Sequence, residues 1–299
     1  MKIAKKNFLG LEKNFSDFEK SKVVIVPFGF ERSTSYIKGT KFGPEAIIKA
    51  SWQVELFDEE FEKEIFREIG IATLKIKPKK RVEEALNQLS EIVFHLYELN
   101  KLPIILGGEH TLTIGSLTAT LKKYKNLTLL QFDAHTDLRD SYQNDKYSHG
   151  SVMRRCLEIS ENFNLVQIGI RNISNEEKDG KEYEFLKNNQ ERIKTFWARE
   201  MDFWQIEEII KNLNENIYLT FDLDVFDSAI MPSVGTPEPG GLSWYQVLKI
   251  LKEICQKRKI VGADFVEFCP IKNFSAPDFL VAKLIYKFIS YLYAYERRT

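Results

Sequence analysis

Cysteine is scarce in this chain. Cys156, Cys255 and Cys269 are odd in number, widely spaced and free of any C-x-x-C pairing, which excludes a disulfide framework and a thiolate zinc site and fits a reducing cytoplasm. Net charge is absent as well. The 43 Lys and Arg balance 43 Asp and Glu, so no global field draws the protein to nucleic acid or anionic lipid. Long apolar runs are missing: the best, 279–295, is interrupted by Lys283 and Lys287, four residues apart, which is one polar stripe on a buried helix rather than a bilayer span. The first 22 residues carry Lys2, Lys5, Lys6, Glu12, Lys13, Asp17 and Glu19, leaving no room for the roughly 7–15 apolar residues of a secretion signal. No repeat, low-complexity tract or Pro/Gly/Ser-rich linker divides the sequence, so one domain over 1–299 is expected.

What the chain does have is alternation. Apolar runs at 23–27, 103–106, 127–132, 165–168, 192–197, 217–221 and 260–266 alternate with helical patterns at 43–51, 81–99, 111–123, 199–213 and 243–256, the signature of an α/β fold with a parallel sheet. In such sheets ligands bind beyond the carboxyl ends of the strands. Four of the runs lead directly into polar segments: Gly107-Gly108-Glu109-His110, Asp133-Ala134-His135-Thr136-Asp137, Asp222-Leu223-Asp224, and the stretch holding Asp264 and Glu267. Histidine is as scarce as cysteine is, with only His95, His110, His135 and His149. The last three follow strands, whereas His95 shares a helical stripe with Glu84, Gln88 and Glu91 and reads as a surface residue. Extended backbone turns residues i, i+2 and i+4 to one side, so Asp133, His135 and Asp137 can converge, as can Asp222 and Asp224. With His110 they make four carboxylates and two imidazoles. That donor set suits Mn²⁺ or another hard to borderline divalent ion better than structural zinc, and six ligands can serve two ions when carboxylates bridge.

In this order the segments resemble the ureohydrolase (arginase and agmatinase) family, whose G-G-x-H, D-A-H-x-D, later H-G and D-x-D-x-x-D patterns fall at 107–110, 133–137, 149–150 and 222–227. Phe42-Gly43-Pro44, Arg171 in I-G-I-R, Gly235-Thr236-Pro237 before Gly240-Gly241, and Glu267 ahead of Pro270 extend the likeness. The resemblance implies an arginase-like α/β/α fold of three layers about a mostly parallel sheet, and homo-oligomers, trimers or hexamers. It also implies two Mn²⁺ per chain, one held by His110, Asp133, Asp137 and Asp222, the other by Asp133, His135, Asp222 and Asp224. His149 would shuttle protons, Glu267 would grip a guanidinium group, and Asp227 would stand behind the ligands. Ser228 and Cys269 depart from the family's usual Pro and Asn.

Guanidinium carbon is a poor electrophile, so the implied reaction needs a strong nucleophile. A metal-bridged hydroxide supplies one near neutral pH, with Asp137 relaying its proton and His149 helping the amine to leave. The implied activity is manganese-dependent hydrolysis of a guanidino group to urea and an amine. Where arginases use an asparagine and an aspartate to read a free amino-acid head, this chain has Arg139 and Ser174. Agmatine, hydrolysed to putrescine in polyamine biosynthesis, is therefore the expected substrate, with guanidinobutyrate or arginine as alternatives. Asp140 and Asp145 are candidate contacts for its second ammonium, although loop acids are as a rule solvated. Two competing readings are a single-ion zinc deacetylase of related fold and a metal-binding paralogue without turnover.

Overall fold

The computed structural model describes residues 1–295, so the last four residues of the expected 1–299 domain lie outside the described residues. Eight strands, β1 (Val23–Phe28), β2 (Ile71–Thr73), β3 (Leu102–Gly107), β4 (Leu127–Phe132), β5 (Phe163–Ile170), β6 (Ile193–Trp197), β7 (Asn216–Asp222) and β8 (Lys259–Val266), form one sheet in the order β2-β1-β3-β8-β7-β4-β5-β6. Every pairing is parallel. The strands are nearly continuous apolar runs because a parallel sheet is covered on both faces.

Among the described residues the α-helices are α1 (Lys13–Ser16), α2 (Gly43–Ser51), α3 (Phe66–Ile69), α4 (Val82–Glu98), α5 (Thr113–Lys123), α6 (Val152–Ile159), α7 (Glu182–Asn188), α8 (Ile206–Lys211), α9 (Trp244–Lys257) and α10 (Ala276–Ala294). Alternate strand residues feed separate core clusters. Val23, Ile25, Ile104 and Leu106 pack with Ile47 of α2, Val247 and Leu251 of α9, and Ile285 and Phe288 of α10. Val24, Val26 and Ile105 pack with Ala85, Leu89 and Val93 of α4. Each such side chain removed from water contributes about 1.5–3 kcal/mol. On the α4 side, α5 approaches closely at Gly115, where a Cβ would stand 2.6 Å from the Leu86 carbonyl oxygen.

Three expectations are corrected. The strand β2 has no counterpart among the predicted runs, since three residues are too few to show alternation. The helix expected over 199–213 is broken into a 3₁₀ segment, Ala198–Phe203, and the short α8, because Trp204 and Gln205 are extended. Trp204 turns inward to pack edge-on against Phe196 at 6.3 Å. Lys287 does not join a solvated stripe: it is buried and paired with Asp58 at 2.7 Å and Glu60 at 3.1 Å. The helix expected over 81–99 is present as α4, with Leu86, Leu89, Val93 and Leu96 buried on one face and His95 exposed on the other, as its polar stripe predicts.

The chain lays down β1 to β3, skips two places to β4, and fills the gap later with β7 and β8. The carboxyl ends of β3, β8, β7 and β4 therefore open side by side at a reversal of winding, the place where open α/β sheets bind ligands. No helix among the described residues is long and apolar enough to cross a membrane.

Candidate metal centre and cleft

All four strand ends bring their polar residues together. His110 follows β3 in a tight turn where Gly108 lies so near Phe30 that a Cβ would stand 2.0 Å from its carbonyl oxygen. Its Nδ1 lies 3.2 Å from Asp133 Oδ2, 3.1 Å from Asp137 Oδ2 and 3.5 Å from Asp222 Oδ2. His135 Nδ1 lies 2.9 Å from Asp224 Oδ2 and 3.7 Å from Asp133 Oδ1. Two groups, His110 with Asp133 and Asp137, and Asp133 with His135 and Asp224, each bring one ligand atom per residue within 4.8 Å of one another. Asp133 is common to both. Asp137 reaches in from a backbone with φ of 53°, a strained conformation of the kind held at functional sites.

A network behind the ligands fixes their protonation. Thr220 donates to Asp264 Oδ1 at 2.6 Å, so the 2.8 Å contact between Thr220 Oγ1 and His110 Nε2 must carry the histidine's proton. Nδ1 is thereby the nitrogen turned to the carboxylates, and this buried atom has no well-formed hydrogen bond. A ring nitrogen among three carboxylate oxygens is a place where either a proton or a metal cation can sit. Burial opposes the charged form of His110, yet the three carboxylates hold its pKa well above the ordinary value. Burial, reinforced by Asp133, pushes Asp137 up to about 7. Burial and the charges of Asp224 and Asp133 raise Asp222. Without cations the carboxylates take up protons; with cations they remain ionised.

Glu267 follows β8 with φ of 62°, and its Oε1 accepts the His110 backbone N–H at 2.6 Å. Burial, then the charge of Glu109, raises its pKa. His149 sits across the cleft, with Nδ1 3.3 Å from Ser33 Oγ, Nε2 3.5 Å from Ser35 Oγ, and its ring edge-on to Tyr142. Burial, then the neighbouring charges of His135 and His110, lowers its pKa to about 4. The cleft has about 220 Å³ of room, and Asp137, His149, Asp222, Asp224 and Glu267 all line it.

Other expected residues lie elsewhere. Asp140 and Asp145 do not line the cleft; they are taken up by ion pairs with Arg155 at 2.8 Å and with Arg32. Asp264 points away from the cleft, accepting from Thr113, Ser116, Tyr218 and Thr220. Asp227 accepts from the N–H groups of Ala229, Gly240 and Gly241 and so ties down the loop that follows Pro237. Cys269 donates to the Lys38 carbonyl at 3.4 Å and makes no hydrogen bond to Glu267.

Several contributors escaped the sequence reading. Glu109 is buried and accepts from the Arg32 and Ser33 backbones and the Thr111 hydroxyl, anchoring the loop that faces His149. Glu182 takes the Thr136 hydroxyl and the Leu138 N–H, fixing the chain on either side of Asp137. Gln131 Nε2 donates to Asp133 Oδ2 at 2.7 Å. Glu238 stands at the cleft wall, 3.7 Å from His135 Nε2. Strand alternation could have found Thr220, two residues before Asp222 and on the same side of β7.

The Arginase family model matches residues 21–290. The chain belongs to the arginase family. It is 35% identical to the N(1)-aminopropylagmatine ureohydrolase of Synechocystis sp. over 96% of this chain and 94% of that protein. It is 31% identical to the agmatinase of Pyrococcus horikoshii over 90% and 92%. Among solved structures, the agmatine ureohydrolase of Thermoplasma volcanium superimposes with a TM-score of 0.85 at 27% identity, covering 99% of this chain and 97% of that one. The arginase-like fold and a ureohydrolase activity of the agmatinase type are thereby established. The two positions that the sequence set apart from arginases, Arg139 and Ser174, are both engaged within the protein. Arg139 is engaged by Asp179 at 3.3 Å and Glu182 at 3.6 Å and stacks over Tyr142, while the Ser174 hydroxyl is spent on Asp179.

Proposed function

We propose that this enzyme hydrolyses the guanidino group of a cationic amine, with N(1)-aminopropylagmatine preferred over agmatine. The supporting observation is the convergence of His110 Nδ1 with the carboxylates of Asp133, Asp137 and Asp222, beside a glutamate, Glu267, whose backbone and side chain are both held in place. His110, Asp133, Asp137 and Asp222 would hold one ion, and Asp133, His135, Asp222 and Asp224 the other, with Mn²⁺ favoured by the oxygen-rich donor set. When bound, such ions supply a water made nucleophilic near neutral pH. Glu267 directs its carboxylate at the guanidinium and sets the angle at which the carbon is presented. Asp137 accepts a proton at its carboxylate. His149, kept neutral by burial, takes protons from solvent at Nε2 and passes them to the departing amine, which leaves readily only as the protonated species.

The substrate preference follows the more similar relative, named for N(1)-aminopropylagmatine, over the less similar one named for agmatine. It replaces agmatine as the first choice. The loss of an amino-acid head site at Arg139 and Ser174 disfavours arginine. The same proposal keeps one domain, a homo-oligomeric assembly and a cytoplasmic setting. Urea release from N(1)-aminopropylagmatine, agmatine, guanidinobutyrate and arginine with added Mn²⁺ tests it. The expected ranking of kcat/KM is in that order for the first two, with arginine last; urea from arginine alone would overturn it.

A further inference from the structure

We propose that Glu238 reads the ammonium at the end of the substrate's four-carbon arm, the cation that agmatine and N(1)-aminopropylagmatine have in common. This assignment rests on the guanidino-amine reading above. The cleft offers six carboxylates. Asp137, Asp222 and Asp224 belong to the metal cluster, and Glu267 is bonded to the His110 N–H. Glu182 is consumed by Thr136, Leu138 and Ser174. With Glu267 assigned to the guanidinium, Glu238 is the carboxylate left for the ammonium: Oε1 accepts from Asn172 Nδ2 at 2.5 Å, and Oε2 carries no hydrogen bond among the described residues.

The loop that presents it is built to hold it still. Arg171 Nη2 donates to the Glu238 carbonyl at 2.8 Å and Nε to the Pro239 carbonyl at 2.9 Å, while the same guanidinium reaches back to Asp224 O at 2.6 Å. Asp227 closes the other side through Gly240 and Gly241. A carboxylate so fixed has prepaid the entropy of ordering, which is what selective binding of a flexible amine requires. Its position also suits the task. His135 Nε2 is 3.7 Å away, which puts the carboxylate at the edge of the metal cluster, and Asn172 and Ile173 line the same cleft.

The competing role is structural: a carboxylate beside Nε2 of a ligand histidine commonly orients that histidine. Glu238→Gln separates the two when kcat/KM is measured on agmatine and on butylguanidine, which has the arm without the ammonium. If Glu238 reads the ammonium, the preference for agmatine over butylguanidine falls at least about tenfold, the loss expected when a charge-assisted hydrogen bond becomes a neutral one. Glu238→Asp, which keeps the charge, retains more of that preference than Glu238→Gln. Equal losses on both substrates, accompanied by weaker Mn²⁺ binding in a titration of the variant, would assign Glu238 to His135 and overturn the proposal. A wild-type enzyme without urea release from any guanidine would overturn the parent reading along with it. Wild-type turnover with the preference intact in Glu238→Gln would overturn this assignment alone.

Discussion

Thr220 decides which nitrogen of His110 carries the proton. Its hydroxyl hydrogen is committed to Asp264, so its oxygen can only accept from Nε2, and Nδ1 is turned toward Asp133, Asp137 and Asp222, where a metal cation can take the place of its proton. Replacing Thr220 with valine keeps the shape and deletes the relay. We expect metal affinity to fall about 10- to 100-fold, the usual effect of losing a partner behind a ligand, while the circular dichroism spectrum is retained. Competitive titration with a metal-binding dye measures this, and unchanged affinity would mean that His110 is oriented by packing alone. The proposed ligands could be picked out from the sequence because they follow apolar runs, with Asp133, His135 and Asp137, and Asp222 and Asp224, each two residues from the next. Thr220 was passed over because a threonine in a strand is ordinary, although alternation puts it on the side of Asp222, and Glu238 because a glutamate in a Pro/Gly loop is usually solvated. Asp140 and Asp145 misled for the converse reason. Nothing in their local sequence shows that Arg155 and Arg32 have already claimed them.

The element that most needs explanation is α10, an apolar helix with a lysine in its buried face. Lys287 is paired with Asp58, itself buried, and with Glu60, in the loop between α2 and α3; Lys252 of α9 joins through Glu60. The cluster fastens the loop to two helices. Lys287→Met leaves Asp58 buried without its cation, a change that typically costs about 3–5 kcal/mol and should appear in chemical denaturation. Burial works against the charge on Lys287, but the carboxylates prevail and raise its pKa; for Glu60, burial is likewise outweighed, by Lys252 and Lys287, and its pKa is lowered. A raised lysine pKa stabilises fully below about 10.4, and that contribution disappears as pH rises through the folded value; a lowered glutamate pKa stabilises above about 4.3, and that contribution disappears as pH falls through its folded value. The gap in stability between wild type and Lys287→Met should therefore be widest between these limits and narrow outside them. A gap independent of pH would point to packing instead. Length was what made an element legible: the 17-residue α4 showed its apolar face plainly, whereas the three-residue β2 and the broken 198–211 segment depended on tertiary contacts such as Trp204 against Phe196.

At the scale of the whole molecule, zero net charge conceals a strong local imbalance. Asp133, Asp137, Asp222, Asp224 and Glu267 converge where four strands end, while Arg139, the one lysine or arginine among the residues lining the cleft, is paired with Asp179 and Glu182. The sheet is what tolerates this, because the cores packed against it hold the strand ends together against repulsion. Ions that bind the folded cluster and not the unfolded chain should add about 4 kcal/mol of stability at a thousandfold excess over the dissociation constant. Differential scanning calorimetry with chelator and with Mn²⁺ should show a clear upward shift in Tm on loading, and coincident transitions would indicate that the cluster does not need cations. The account as a whole turns on the cluster being a two-ion centre. The most direct test is equilibrium dialysis of the chain against Mn²⁺, with bound metal counted by elemental analysis. Two ions per chain at saturation is the predicted result; a single ion, or none, would contradict it.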